Sequence, residues 1–249
     1  MNQIINLEKQ QLLAQWAKIA ALTCDEKWLE STSWKIKKII EALEDPILDV
    51  ISKRKIINGH IRKFTDKLGL QAWGDLKKGG QCAGAIYRTK GFIKLEVSER
   101  IGSKSCKTIH IEHTVPASVL TTKLIEANSK NNQLFNSEFM FFYLIKNAIC
   151  TAMLDEQGTL GGLIRDGYAS TTDALNSETE GYEKPFLRYV KSTNELDEIW
   201  DVWNDKVINP EEFTFNDHLL NITEIATITG SYNIKKLINK WTNLDLIDI

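Results

Sequence analysis

No stretch of this 249-residue sequence approaches the ~18 consecutive apolar residues that a membrane-spanning helix needs. Its first ten residues contain no basic stretch followed by an apolar run, so no secretion signal is expected and the expected location is the cytoplasm. Cysteine is scarce: Cys24, Cys82, Cys106 and Cys150 lie far apart, and no Cys-x-x-Cys pair exists. That spacing argues against a structural zinc knuckle and a disulfide framework, fits a reducing compartment, and leaves all four expected as buried thiols. There is no Gly-x-x-x-x-Gly-Lys-Ser/Thr phosphate loop and no Gly-x-Ser-x-Gly elbow. Gly158-Thr-Leu-Gly-Gly162 is glycine-rich but lacks the flanks of a dinucleotide loop, and a Pro-Asp…Glu-x-Lys nuclease core has no clean match. Repeats and low-complexity tracts are absent.

What remains is an ordinary globular composition, 43% hydrophobic and 26% charged, in a chain long enough to bury a real core. The net charge of −2 hides an uneven distribution. Residues 1–105 hold 19 Lys and Arg against 12 Asp and Glu, and residues 106–249 hold 12 against 21. A basic half can face a polyanion while an acidic half supplies metal ligands and solvated surface. The densest basic cluster is Lys53-Arg54-Lys55, with Arg62 and Lys63 close behind.

Periodicity predicts helices over residues 5–22, from Trp34 through Leu43, and onward from Asp45-Pro46. The segment Ile86–Val97 alternates like a strand pair turning at Lys90-Gly91, which would present Arg88 and Lys90 to a DNA groove. A strand is expected from Thr108 to about Thr114, closed by Pro116. Helices over 117–128 and 137–147 should follow, then a short buried strand through 148–154 and a helix opening at Asp155-Glu156. Residues 170–183 read as a polar loop, and 196–207 and 234–241 as helices. The class is α+β, in three regions: a helical 1–78 for DNA contact or dimerisation, a nuclease core at 79–190, and a helical 191–249. The seven tryptophans are expected in the core, and His60 and His218 carry no assigned chemistry.

One segment gathers histidine, carboxylate and a strand end: Thr108-Ile-His-Ile-Glu-His-Thr-Val-Pro-Ala117. It holds His110 and His113, two of the four histidines. Phosphodiester hydrolysis needs an activated water and neutralisation of developing charge. A neutral histidine can take the water's proton, and a cation held by carboxylate oxygen can do the electrostatic work. His113 is therefore expected as the base and Glu112 as a metal ligand, converging from a splayed strand end.

Glu-His-Thr-Val-Pro-Ala, preceded by Ile-His-Ile, resembles the first element of the ββα-metal (HNH, His-Me finger) nucleases. The resemblance covers some 45 residues, from Thr108 to about Gly158, and implies one divalent ion, Mg²⁺ or in its place Mn²⁺, on a small ββα core with a short antiparallel sheet. The helix histidine of that pattern has no counterpart here. Glu156, with Asp155 as its rival, or Asn147 is expected to replace it. In Pro185-Phe-Leu-Arg-Tyr189, Arg188 is a candidate clamp for the scissile phosphate. The resulting expectation is a homodimeric restriction-type endonuclease for double-stranded DNA, with Arg88, Lys90, Lys53, Arg54 and Lys55 on the nucleic acid. The alternatives are a non-catalytic nucleic-acid-binding protein and a nuclease toxin or RNase using the same centre.

Overall fold

The computed structural model describes residues 2–68, 82–100, 109–130, 135–154, 173–190 and 197–242. The class is α+β, with helices packed around a small mixed sheet. Helices α1 (Asn2–Leu22), α2 (Ile36–Glu44) and α3 (Val50–Lys67) precede β1 (Tyr87–Thr89) and the short α4 (Lys90–Lys94). Then come β2 (Ile109–His113), α5 (Ala117–Lys130), α6 (Ser137–Asn147) and β3 (Cys150–Leu154). The chain continues through α7 (Leu187–Val190), β4 (Ile199–Asp201), β5 (Lys206–Val207), α8 (Phe215–Thr229) and α9 (Tyr232–Thr242). The strands lie in the order β2-β3-β1-β4-β5. β1 runs parallel to β3 and the other pairs are antiparallel, so the sheet is mixed where a short antiparallel one was expected. One contiguous apolar core runs from Leu12 to Trp241, joining the three regions of the chain.

Three local expectations need correction. α3 starts at Val50, where the Asp49 carboxylate accepts from the Ser52 amide at 2.6 Å. Asp45 instead holds a turn, accepting from the amides of Ile47 and Leu48. The chain after Thr89 forms α4 and no hairpin: the Thr89 hydroxyl caps it, and Phe92 and Ile93 are buried. The antiparallel partner of β1 is then β4, inside the stretch expected to be helical, which forms the β4–β5 hairpin. Helix α8, inside the region 191–249 expected to be helical though not placed there as an element, starts with a capping box between Thr214 and Asp217 and ends at Gly230 in the left-handed conformation, φ 79°.

A buried ion cluster ties the N-terminal helix to the sheet. Glu8 of α1 accepts from Arg88 of β1 and, at 2.8 Å to each oxygen, from Arg100. The remaining guanidinium groups donate to the carbonyls of Ala83, Ala85, Phe92, Ile93 and Leu95. Arg88 is fully buried, which removes it from any DNA surface.

The end of α3 meets the strand layer at Gly84. A Cβ built there would lie 1.8 Å from the Leu68 carbonyl oxygen, and the Gly84 carbonyl accepts from the Trp16 indole at 3.2 Å. Gly84→Ala is expected to cost about 3 kcal/mol, because the obstacle is backbone that cannot rotate away. Urea titration tests this, and a loss below about 1 kcal/mol would show that α3 yields easily.

Candidate active site

β2 is apolar on alternate residues and ends where Pro116, which has no amide hydrogen, begins α5 by accepting from Val119 and Leu120. It pairs antiparallel with β3 in a register that sets Glu112 opposite Thr151 and His113 opposite Cys150. Two helices, α5 and α6, fill the connection between these strands. Along β2 the side chains leave to opposite faces, and this separates the two residues of the motif.

On one face, Glu112 Oε1 accepts from Arg188 Nη2 at 2.9 Å, and Oε2 lies 3.2 Å from His110 Nε2. Arg188 Nη1 donates to the carbonyls of His113 and Thr114 at 3.2 and 3.0 Å. This guanidinium thus holds the strand end and the carboxylate together. The Thr114 and Thr151 hydroxyls are 3.2 Å apart, with the buried Tyr189 phenol beside them. Burial pushes that phenol's pKa up, so it stays protonated. Of the three residues joined through Glu112, His110 meets solvent: its side chain is 23% exposed, against 8% for Glu112 and 1% for Arg188.

On the other face, His113 is buried under α3, with Nε2 3.4 Å from the Thr65 hydroxyl. Thr65 donates its own proton to the Arg62 carbonyl at 2.7 Å, so His113 is the donor in that contact. Burial, aided by the positive charge of Arg62, pushes its pKa down to about 4. The imidazole is therefore neutral at physiological pH, as a base must be, but it is closed to bulk water. Convergence of Glu112 and His113 on one ligand is not what this arrangement provides. Cys150 beside it is buried and its thiol is pushed well up in pKa, which makes it unreactive. Cys82 is also buried, Cys24 is exposed against expectation, and Cys106 lies outside the described residues.

The remaining expected site residues fall in several places. Arg188 does reach Glu112, but as a buried staple in place of an open phosphate clamp. Asn147 is buried at the end of α6, three residues before Cys150. Its amide nitrogen donates to the Tyr143 carbonyl at 2.9 Å, and its Oδ1 has no hydrogen-bond partner among the described residues. Asp155 and Glu156 lie outside the described residues. Lys90 pairs at 3.0 Å with Glu198, and Lys53 is turned to the Leu43 carbonyl at 2.7 Å, while Arg54 and Lys55 are exposed. His110, which was not among the expected site residues, is the one found beside Glu112. Its signal was the spacing of two from Glu112, which puts both on one face of a strand.

Among the described residues no group of three or more His, Cys, Asp or Glu could hold a metal ion. Both oxygens of Glu112 are already engaged, by a guanidinium and an imidazole, so these side chains do not by themselves fit a divalent cation. Comparison with protein-family models, characterised proteins and solved structures found no match to this chain. Among the described residues, no helix is long and apolar enough to cross a membrane.

Proposed function

We propose that the chain is an endonuclease hydrolysing double-stranded DNA in the cytoplasm, of the sequence-specific restriction type, with its reaction centre at His110 and Glu112. The observation that carries this reading is the partly exposed imidazole held 3.2 Å from a carboxylate that a buried arginine keeps in place. A carboxylate orients an imidazole and stabilises it once it has taken a proton, which suits it to drawing a proton from an attacking water. Arg188 acts through Glu112 by fixing its position. His113, neutral and buried, supports the strand end against α3. A divalent cation, Mg²⁺ or Mn²⁺, and a homodimeric assembly belong to the same proposal. The cation's ligands would have to include groups beyond the described ones.

The test is conversion of supercoiled plasmid DNA with Mg²⁺, with Mn²⁺ and with EDTA. Wild-type protein is expected to cut, giving discrete bands if recognition is sequence-specific and a smear if it is not. His110→Ala should lower the rate by roughly 10²–10⁴-fold, with folding confirmed by circular dichroism. His113→Asn should leave most of the rate. The reverse pattern would return the base role to His113. Absence of cleavage under every condition, with DNA binding retained, would favour the non-catalytic reading.

A further inference from the structure

Helix α3 turns Ile57, Ile61, Phe64 and Thr65 into the core and packs between α2 and α5. Directly opposite that buried stripe, at helical spacing, lie Lys55, Gly59, Arg62 and Lys63. The three cations are exposed, and none has an ion-pair partner among the described residues. Arg62 Nε donates to Asn58 on the same helix at 3.1 Å. Asp66, half-buried one turn on from Arg62 and Lys63, places a carboxylate on this side, its Oδ1 without a hydrogen-bond partner among the described residues.

Gly59 is the unexplained member. It sits in the middle of an 18-residue helix, where glycine is less favourable than any residue but proline. Its backbone is not in the left-handed region, and among the described residues a Cβ built on it meets nothing within 4 Å. Neither packing against the described residues nor backbone conformation calls for glycine there. A glycine in such a position suits close approach of another molecule to the helix backbone, and cations at i−4, i+3 and i+4 surround that spot. Helix α3 also adjoins the end of β2, since the Thr65 hydroxyl that donates to the Arg62 carbonyl lies 3.4 Å from His113 Nε2.

We propose that this outer ridge of α3, centred on Gly59 and flanked by Lys55, Arg62 and Lys63, seats the sugar–phosphate backbone of a DNA duplex. The proposal rests on the nucleic-acid reading above and names the surface that carries it. Lys53, turned inward, is not part of this surface, and Arg54 lies off the ridge.

Fluorescence anisotropy with a labelled 30-base-pair duplex in EDTA separates binding from cleavage. Arg62→Gln is expected to weaken binding about three- to tenfold on duplexes of unrelated sequence and to reduce the salt slope by about one. Gly59→Ala is expected to raise Tm by about 2–4 °C, as a better helix former, yet to weaken binding about tenfold. Lys236→Gln, on the exposed side of α9, is the control that should change neither. Wild-type-like binding by both Gly59→Ala and Arg62→Gln would overturn the ridge, and so would absence of duplex binding by the wild type at 50 mM salt. Binding through the ridge without cleavage under any condition would sink the catalytic reading alone. Cleavage that is indifferent to the ridge variants would sink the ridge alone.

Discussion

Glu8→Gln should destabilise the protein by about 3–5 kcal/mol, the range for removing one partner of a buried ion pair. Glu8 is 1% exposed and is the carboxylate that meets both Arg88 (0%) and Arg100 (2%). Taking away its charge leaves two guanidinium groups buried against carbonyl dipoles alone. The carbonyls accept from most of their N–H groups, though Arg100 Nε has no partner among the described residues, and they cannot neutralise the charge. Because Glu8 belongs to α1 and the arginines to β1 and the turn after α4, the loss should detach the N-terminal helix from the sheet. For a chain of this length the shift in Tm is about 10 °C or more. Urea unfolding of Glu8→Gln beside Lys38→Gln, which breaks an exposed pair on α2, makes the comparison. A Glu8→Gln cost below about 1 kcal/mol would mean that the arginines find water or another counter-charge.

Acid should weaken the fold steeply between about pH 6.5 and pH 4, with stability nearly flat in these groups above pH 7. His113 and His218 are both buried, and burial pushes each down to about 4 from an ordinary value of 6.5. Between those values the unfolded chain binds protons that the folded chain refuses, so stability falls as pH falls. Each histidine contributes up to about 3 kcal/mol to this loss by the time its folded pKa is reached.

For His218 the geometry shows why the proton is refused. Its Nε2–H donates to the Ile145 carbonyl at 3.0 Å, which makes Nδ1 an acceptor, and the Tyr87 hydroxyl donates to it at 2.8 Å. Asn221 then donates to the Tyr87 oxygen and to Asp201, so the chain of donors is settled with a neutral ring. Protonating Nδ1 would set two donors against each other. Urea midpoints at pH 7.5, 6 and 5 should fall in order. Replacing His218 by Gln should reduce proton uptake on unfolding by about one in that window. A flat profile from pH 7.5 to pH 5 would show that both rings reach water in the folded state.

Much of the helical frame is legible in the sequence. Apolar residues at helical spacing mark α1, α2, α3, α5, α6 and α9, and alternation followed by proline marks β2. The failures are equally physical. Leu196, Ile199, Trp200, Trp203 and Val207 match a helical template, yet residues 199–207 form a hairpin because β1 needs an antiparallel neighbour. Lys90-Gly91 has the composition of a hairpin turn, but Thr89 caps a helix there and the Gly91 amide donates to Asp197, 106 positions away. In both cases a long-range partner outweighed the local pattern.

The same division holds at Glu112-His113. The sequence by itself determined that carboxylate and imidazole cluster at one strand end; strict alternation sets His110 beside Glu112 and apart from His113, against the expected convergence of Glu112 and His113. Only the tertiary structure decided which histidine meets solvent, because that depends on α3 covering one face of β2. It also decided that Arg188, 76 positions on, would fix Glu112, and that Arg88 would be buried against Glu8. Burial and ion pairing join residues far apart in the chain, and no local spacing encodes them.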